Sequence, residues 1–338
     1  MGGLSQGSGL SVSGGAFWPE GHSAAMAQGA AHVRTAADGL LLRPSKVKRR
    51  PRMRIAIMGS GGVGAYVGAR LQAAGEDVTF IARGAHLQAL QKSGLRIETP
   101  EHALHLERVE ATDDPSRVGP VDLVIFAVKL WDTEAAARAM APLVGPQTRV
   151  VTLQNGIDSV RLISGALRGA RVLGGVIYVS AVIERPGVIR SPGGMNRIVV
   201  DAAGGDPVIA AFCAACDRAT GLDATATDTI DIAIWEKFVT LAAIAGATSL
   251  LRARIGQIMG NPETRFFQRQ LIDEGVAVGR AVGQKLRAEL ADEVMSKLAA
   301  LPASFRSSMS EDLERGKPLE LQWLSGRVHG LGLQHGVP

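Results

Sequence analysis

The sequence predicts an α/β fold in which an N-terminal domain of alternating strands and helices is followed by an all-α domain. From Arg54 the text runs RIAIMGSGGVGAYVGARLQAAGEDVTFIARG, which reads as an apolar strand, a glycine loop, a helical stretch and a second strand. After about Asp223 long helical periods take over, with few β-branched runs. The 338 residues are 46% apolar and 20% charged, enough apolar material for two packed domains.

Residues 1–52 are rich in Gly, Ser and Ala, follow no sustained period, and end in the basic run Lys46, Lys48, Arg49, Arg50 and Arg52. A disordered leader is expected, and because Met53 opens directly into a strand, the start upstream of it reads as called too early. A transit peptide is the alternative, against which the glycine content and the missing amphipathic pattern speak. The leader holds seven basic and two acidic side chains, while the rest of the chain holds 30 of each. The whole net charge of +5 therefore lies in the leader, and charge gives the folded part no nucleic-acid footprint. Apolar runs stop well short of the roughly 18 residues of a membrane span. Two cysteines make neither a disulfide framework nor a four-cysteine zinc site. A soluble, cytoplasmic protein is expected.

The loop Gly59, Ser60, Gly61, Gly62, Val63, Gly64 matches G-x-G-x-x-G between a strand and a helix, the context that gives the motif its meaning. Gly59 permits the tight turn, Gly61 admits a pyrophosphate to the backbone, and Gly64 lets the helix pack close to the strand. The helix N-terminus offers free N–H groups to that pyrophosphate. This predicts a Rossmann-type dinucleotide-binding domain. The second strand, Val78 to Ala82, ends on Arg83 where an NAD-binding chain carries Asp or Glu, so NADP(H) is the expected cofactor. Glu76 and Asp77 precede that strand and belong to its other end. His86 either assists Arg83 or faces water.

Further strands are expected at Val121 to Val128 and Arg149 to Leu153, with a helix over Thr133 to Leu143 between them and a β-rich segment from Arg171 to Val200. Alternation of strand and helix implies a parallel sheet. Lys129, then Gln154, Asn155 and Gly156, follow strand ends, where such a sheet places its ligand crevice. Helices are expected at Thr229 to Leu251, Pro262 to Leu286, Ala288 to Leu301 and Leu319 to Gly330. The division is a cofactor domain of residues 53–224 and a helical domain of residues 225–338, with a small-molecule substrate in the cleft between them. Cys213 and Cys216 fall in the helical stretch PVIAAFCAACDRAT and read as buried small side chains rather than a redox pair or half a metal site. His102 and His105 lie in an edge segment without a third ligand and read as solvated. No Ser-His-Asp pattern, Walker loop or H-E-x-x-H motif is present, and no metal is expected.

Five motifs in order carry a resemblance: GSGGVG, VKLW at 128–131, LQNG at 153–156, WEKF at 235–238 and SMSEDLERGKPLEL at 308–321. Over nearly all of 53–338 the chain resembles the ketopantoate reductase family. That resemblance implies NADPH-dependent reduction of 2-dehydropantoate (ketopantoate) to (R)-pantoate, a step of pantothenate and coenzyme A synthesis. It implies Lys237 as the catalytic lysine and Glu320 as the glutamate that meets the substrate hydroxyl. Asn155 would bridge nicotinamide and substrate, Lys129 would lie near the cofactor, and Ser308 would bind the substrate carboxylate. Glu311, Asp312 and Glu314 read as a solvated face. The chemistry agrees independently: hydride addition to a 2-keto acid leaves an alkoxide, and a lysine whose pKa is lowered by desolvation can stabilise and protonate it.

Two departures stand out. Where the family carries asparagines four and eight residues after the catalytic lysine, this chain has Leu241 and Ala245, which points to a different or more hydrophobic 2-keto acid as the alternative substrate. The ending GLGLQHGVP stops where the family continues through a further helix, so a shortened helical domain is expected, with a cofactor-binding remnant that does not turn over as the non-enzymatic alternative. Another two-domain hydroxyacid dehydrogenase would show a different glycine-rich substrate motif. A homodimer is left open.

Overall fold

The structure, a computed structural model, describes residues 51–338, so the expected disordered leader lies, but for its last two residues, outside the described residues. The chain begins with β1 (Arg54–Met58), α1 (Gly62–Ala73), β2 (Asp77–Ile81), α2 (Gly84–Ser93), β3 (Leu95–Glu98), β4 (Leu104–Leu106) and β5 (Glu110–Thr112). It continues through β6 (Leu123–Phe126), α3 (Thr133–Ala139), β7 (Arg149–Thr152), α4 (Ser159–Ala166) and β8 (Arg171–Tyr178). After β9 (Val182–Arg185), β10 (Val188–Arg190), β11 (Arg197–Asp201), α5 (Pro207–Asp217) and β12 (Asp223–Thr227) come six helices. These are α6 (Ile230–Leu250), α7 (Ile255–Gly260), α8 (Pro262–Ala281), α9 (Leu290–Ala299), α10 (Ser308–Glu314) and α11 (Ser325–His335).

Eight strands form one twisted layer in the order β12-β11-β8-β7-β6-β1-β2-β5. Strands β5, β2, β1, β6, β7 and β8 run parallel, and the central β1, β6 and β7 are apolar and buried on both faces, as a doubly wound sheet requires. The parallel sheet expected from the alternation of strand and helix is present from β5 to β8; beyond it β11 pairs antiparallel to β8. Between these two strands the chain makes only the β9–β10 hairpin, and without a helical crossover a neighbouring strand returns in the opposite sense. A second sheet, in the order β4-β3-β10-β9, joins the β9–β10 hairpin of the expected β-rich segment to β3 and β4, for which no strand was expected. β12 runs to Thr227 and pairs with β11, so residue 224 falls inside the edge strand of the large sheet.

The sheet core gathers Ile55, Ile57, Phe80, Leu123, Ile125 and Phe212, all at most 1% exposed. A buried ion pair ties β7 to the start of α5, with Arg149 Nε 2.6 Å from Asp206 Oδ2. Asp206 also caps α5 by accepting from the Val208 N–H at 2.9 Å.

The helical part packs around α6. This helix is apolar round most of its circumference and therefore lies inside, between α8, α10, α11 and the β8 face of the sheet. Close approach of α8 uses Gly279, whose Cβ position would lie 2.5 Å from Leu286 Cδ1 and 3.1 Å from the Trp235 ring. Cys216 is buried on α5 and Cys213 partly so, both as free thiols. Burial pushes both thiols up, which disfavours the reactive thiolate. His102 and His105 are exposed. Among the described residues no helix is long and apolar enough to cross a membrane, and no group of three His, Cys, Asp or Glu side chains is placed to hold a metal ion.

Candidate active site

The glycine loop joins β1 to α1 at the C-terminal edge of the parallel strands. Gly59 adopts φ +96°, and a Cβ there would lie 2.6 Å from Val128 Cγ1, so the turn admits glycine alone. A Cβ on Gly64 would stand 2.2 Å from the Gly59 carbonyl oxygen, and one on Gly62 would stand 2.0 Å from that of Ala181. Gly61 faces open space, with no atom within 4 Å of its Cβ position. It is the N-cap of α1, which has neither a side-chain cap nor an acidic residue in its first turn. The N-terminus of α1 thus has no side-chain cap and no acidic neighbour in its first turn, and the backbone is open at Gly61, which fits a dinucleotide pyrophosphate.

Arg83 sits at the end of β2 as the N-cap of α2, largely exposed, with Nη2 3.1 Å from Asp132 Oδ2. That aspartate follows β6, so the ion pair spans the end of β1, which lies between β2 and β6. His86 does not face water. Its Nδ1 accepts from the Gly187 N–H at 3.1 Å, which pins α2 to the second sheet, and burial lowers its pKa.

The edges of β6, β7 and β8 meet the helical part at two clusters. In the first, Lys237 of α6 donates from Nζ to Asn155 Oδ1 at 3.0 Å and to the Ile177 carbonyl at 2.7 Å. The same ammonium lies 5.8 Å from the centre of the Tyr178 ring. Burial pushes the Lys237 pKa down to about 8, against the opposing pull of the Glu320 carboxylate. A shallow depression beside the ammonium is lined by Asn155, Gly156, Val176, Ile234, Phe238 and Leu241.

In the second cluster, Lys129 Nζ lies 3.2 Å from Asp312 Oδ2 and 3.4 Å from Glu320 Oε2. Glu320 Oε1 accepts from the Leu130 N–H at 3.3 Å, so this 6% exposed carboxylate is fixed at both oxygens. Burial draws the Lys129 pKa down, but Glu320 and Asp312 together outweigh it and hold the pKa above the ordinary lysine value. Asp312 was expected on a solvated face; it is instead largely buried against Lys129, because α10 turns that side of the helix toward the β6 edge. Glu311 and Glu314 do lie at the surface, in ion pairs with Arg315 and Arg306.

Ser308 is exposed at the first position of α10, one turn before Asp312 on the same helix side. The neighbouring Ser307 is the cap: buried, it accepts from the Ser310 N–H at 3.1 Å and shares a 2.8 Å hydrogen bond with Thr248. Gln154, a positional candidate, is consumed by structure, its amide donating to the Val128 carbonyl and to Thr133 Oγ1. Gly156, at φ +84°, brings the loop after β7 under the Trp323 carbonyl. Sequence reasoning missed the Ile177 carbonyl, the Leu130 N–H and Asp312. None of the three carried a signal in the sequence, because each is set by a partner far along the chain.

A glycine cradle, an arginine beyond the second strand and a half-buried lysine with a lowered pKa thus share one edge of the sheet. Known proteins carry the same arrangement of sheet and helices. A model of the ketopantoate reductase PanE/ApbA family matches residues 55–205, and the model of that family's C-terminal region matches residues 229–338. The 2-dehydropantoate 2-reductase of Archaeoglobus fulgidus is 35% identical over 284 residues, which cover 84% of this chain and 92% of that protein. The crystal structure of a PanE/ApbA family ketopantoate reductase from Ralstonia eutropha superposes with a TM-score of 0.78 at 33% identity, over 85% of this chain and 93% of that one. D-mandelate dehydrogenase, solved with NADH and anilino(oxo)acetate, shares the fold at a TM-score of 0.74 and 21% identity, over 85% and 94%. With both halves matched by the family's models and the Archaeoglobus relative 35% identical over 84% of the chain, the chain belongs to the ketopantoate reductase family.

Proposed function

We propose that this chain is an NADPH-dependent 2-keto acid reductase that converts ketopantoate to (R)-pantoate. The observation that carries the reading is Lys237: a half-buried ammonium whose pKa is pushed down to about 8, held by Asn155 and the Ile177 carbonyl. The name 2-dehydropantoate 2-reductase, printed for the Archaeoglobus relative, supports the substrate. Arg83 supports NADPH, because a guanidinium beyond the second strand pairs with a 2′-phosphate as no carboxylate could.

A nicotinamide dinucleotide, when bound, supplies the hydride that reduces the keto carbon. Gly59, Gly62 and Gly64 shape the tight loop, Gly61 leaves room for its pyrophosphate at the N-terminus of α1, and Arg83 takes the ribose phosphate. Lys237 acts as general acid, giving the proton from Nζ to the keto oxygen as negative charge develops there. Asn155 keeps that ammonium aimed. Glu320, anchored by Leu130 and Lys129, accepts a substrate hydroxyl, and Ser308 with Lys129 faces the carboxylate. The cofactor domain, expected to end at residue 224, is taken to run on to the end of β12 at Thr227, and the helical residues that follow supply the acid.

The test is oxidation of NADPH by the purified protein with ketopantoate, alongside cofactor binding followed by fluorescence. Turnover with NADPH well above NADH is the expected result. Cofactor binding with no turnover of any 2-keto acid would identify a non-catalytic dinucleotide binder. A second reading, a related reductase with another preferred 2-keto acid, is favoured by Leu241 in the wall beside Lys237.

A further inference from the structure

A cleft of about 390 Å³ opens at the C-terminal end of α1, the end remote from the glycine cradle. Its walls are that helix, the segment between β3 and β4, and the residues that follow α5. Such a volume suits a small-molecule site. Arg70 of α1 lines it and is 4% exposed, yet among the described residues no carboxylate stands within ion-pair distance of its guanidinium. Its Nη2 donates to the His102 carbonyl at 2.5 Å, its guanidinium carbon lies 5.0 Å from the centre of the Tyr66 ring, and its Nε has no partner. Tyr66 is fixed in turn, donating from its hydroxyl to the Gly221 carbonyl at 2.7 Å. A carbonyl dipole and a ring face offset a full buried charge only in part. The acids nearby do not complete the offset: Glu76 is taken by Arg218 Nη2 and by the Met53 N–H, each at 2.7 Å, and Glu101 is exposed at the rim.

We propose that this cleft is a second binding site, for a small organic phosphate whose oxyanion neutralises Arg70. A guanidinium pairs with phosphate oxygens through parallel hydrogen bonds, and a phosphate has oxygens to spare for the Thr220 hydroxyl and the exposed His102 side chain at the rim. Ala73, Ala74 and Leu104 give the carbon body of the ligand an apolar wall. Arg70 stands eight residues after Gly62 on one helix, about 12 Å along its axis, so the site is separate from the cradle. It does not depend on the reductase reading.

The test is calorimetric titration of the full chain with glycerol 3-phosphate, in a low-salt buffer free of phosphate, on an Arg83→Ala background that lacks the arginine assigned to the cofactor phosphate. One-to-one binding with a Kd of about 1 mM or tighter is expected. Thr220→Asp, which sets a negative charge at the exposed rim, should weaken it at least about tenfold, and Arg70→Met should do the same. Absence of saturable binding, or binding that Thr220→Asp leaves in place, would overturn the inference while leaving the reductase reading intact. Should Arg70→Met fail to fold, Thr220→Asp decides alone, because Thr220 is exposed and outside the core.

Discussion

Lys129 and Asp312 stand 183 residues apart in the chain and 3.2 Å apart in space, joining the edge of the parallel sheet to the helical part. Because the lysine is nearly half exposed, the pair contributes modestly to stability, about 0.2–1 kcal/mol. A double-mutant cycle of Asp312→Asn with Lys129→Met, read by denaturant unfolding, should return a coupling energy in that range. A coupling of zero would remove Asp312 from the assembly that positions Lys129.

Lys237 sets the pH behaviour. Reduction needs the protonated ammonium, so its rate should be flat below pH about 8 and fall roughly tenfold per unit above it, while oxidation of the hydroxy acid should rise with pH and level off above the same point. For stability the sign is also fixed: the folded pKa lies below that of an unfolded lysine. The unfolded state therefore binds more protons between pH about 8 and about 10.4, and this group makes the fold more stable as pH rises through that window. Lys237→Ala should lower kcat on the order of 10² or more with NADPH affinity nearly unchanged. Weakened cofactor binding with normal turnover would contradict the role.

Arg83 should decide between the two nicotinamide cofactors. Its guanidinium is largely exposed and held by Asp132, ready to exchange one anionic partner for another. Arg83→Ala is expected to raise KM for NADPH about 10- to 100-fold, the worth of a hydrogen bond to a charged group, and to leave KM for NADH in place. An equal loss with both cofactors would assign Arg83 to the fold rather than to the phosphate.

Gly64 offers a sharp steric test. A Cβ there meets the Gly59 carbonyl oxygen at 2.2 Å, and neither backbone can yield without opening the loop. Gly64→Ala should cost about 1–3 kcal/mol and abolish measurable dinucleotide binding, checked by thermal melting and by fluorescence titration.

Asp206 holds the buried Arg149 at 2.6 Å, with both side chains at most 5% exposed. Asp206→Asn leaves that guanidinium without its counter-charge inside the protein and weakens the cap of α5. The expected loss is about 3–5 kcal/mol of unfolding free energy, with turnover per folded molecule unchanged. A loss below about 1 kcal/mol would mean that Arg171, 3.6 Å from the same carboxylate, and not Arg149 is the chief partner.

Much of this was legible in the text of the chain, for definite reasons. The strand at Arg54, the loop from Gly59 to Gly64 and the second strand are local features whose backbone demands write themselves into residue type. Lys237 and Asn155 were legible through short motifs, and the structure sets them 3.0 Å apart. Asp312 was not, because its burial depends on Lys129, far away in the chain, and a carboxylate among Glu311, Glu314 and Arg315 looks the same whether its helix faces solvent or a neighbour. The reversal of β11 was hidden for a related cause: alternation of strand and helix sets the sense of a strand only where a helix intervenes, and between β8 and β11 none does. Ser307 and Ser308 are adjacent serines, and only the helix start distinguishes the buried cap from its exposed neighbour.

The ties across this crevice also bear on how the chain comes into being. The cradle of β1, α1 and β2 closes within residues 54–81, so a ribosome releases a segment able to form its turn long before the rest exists. The reacting edge is different. Lys237 must find Ile177, 60 residues behind it, and Lys129 must wait 191 residues for Glu320. Contacts so distant in sequence form late and slowly. During synthesis this chain should gain the capacity to hold its cofactor well before the capacity to use it, and the last step of its maturation is the one that makes it a catalyst.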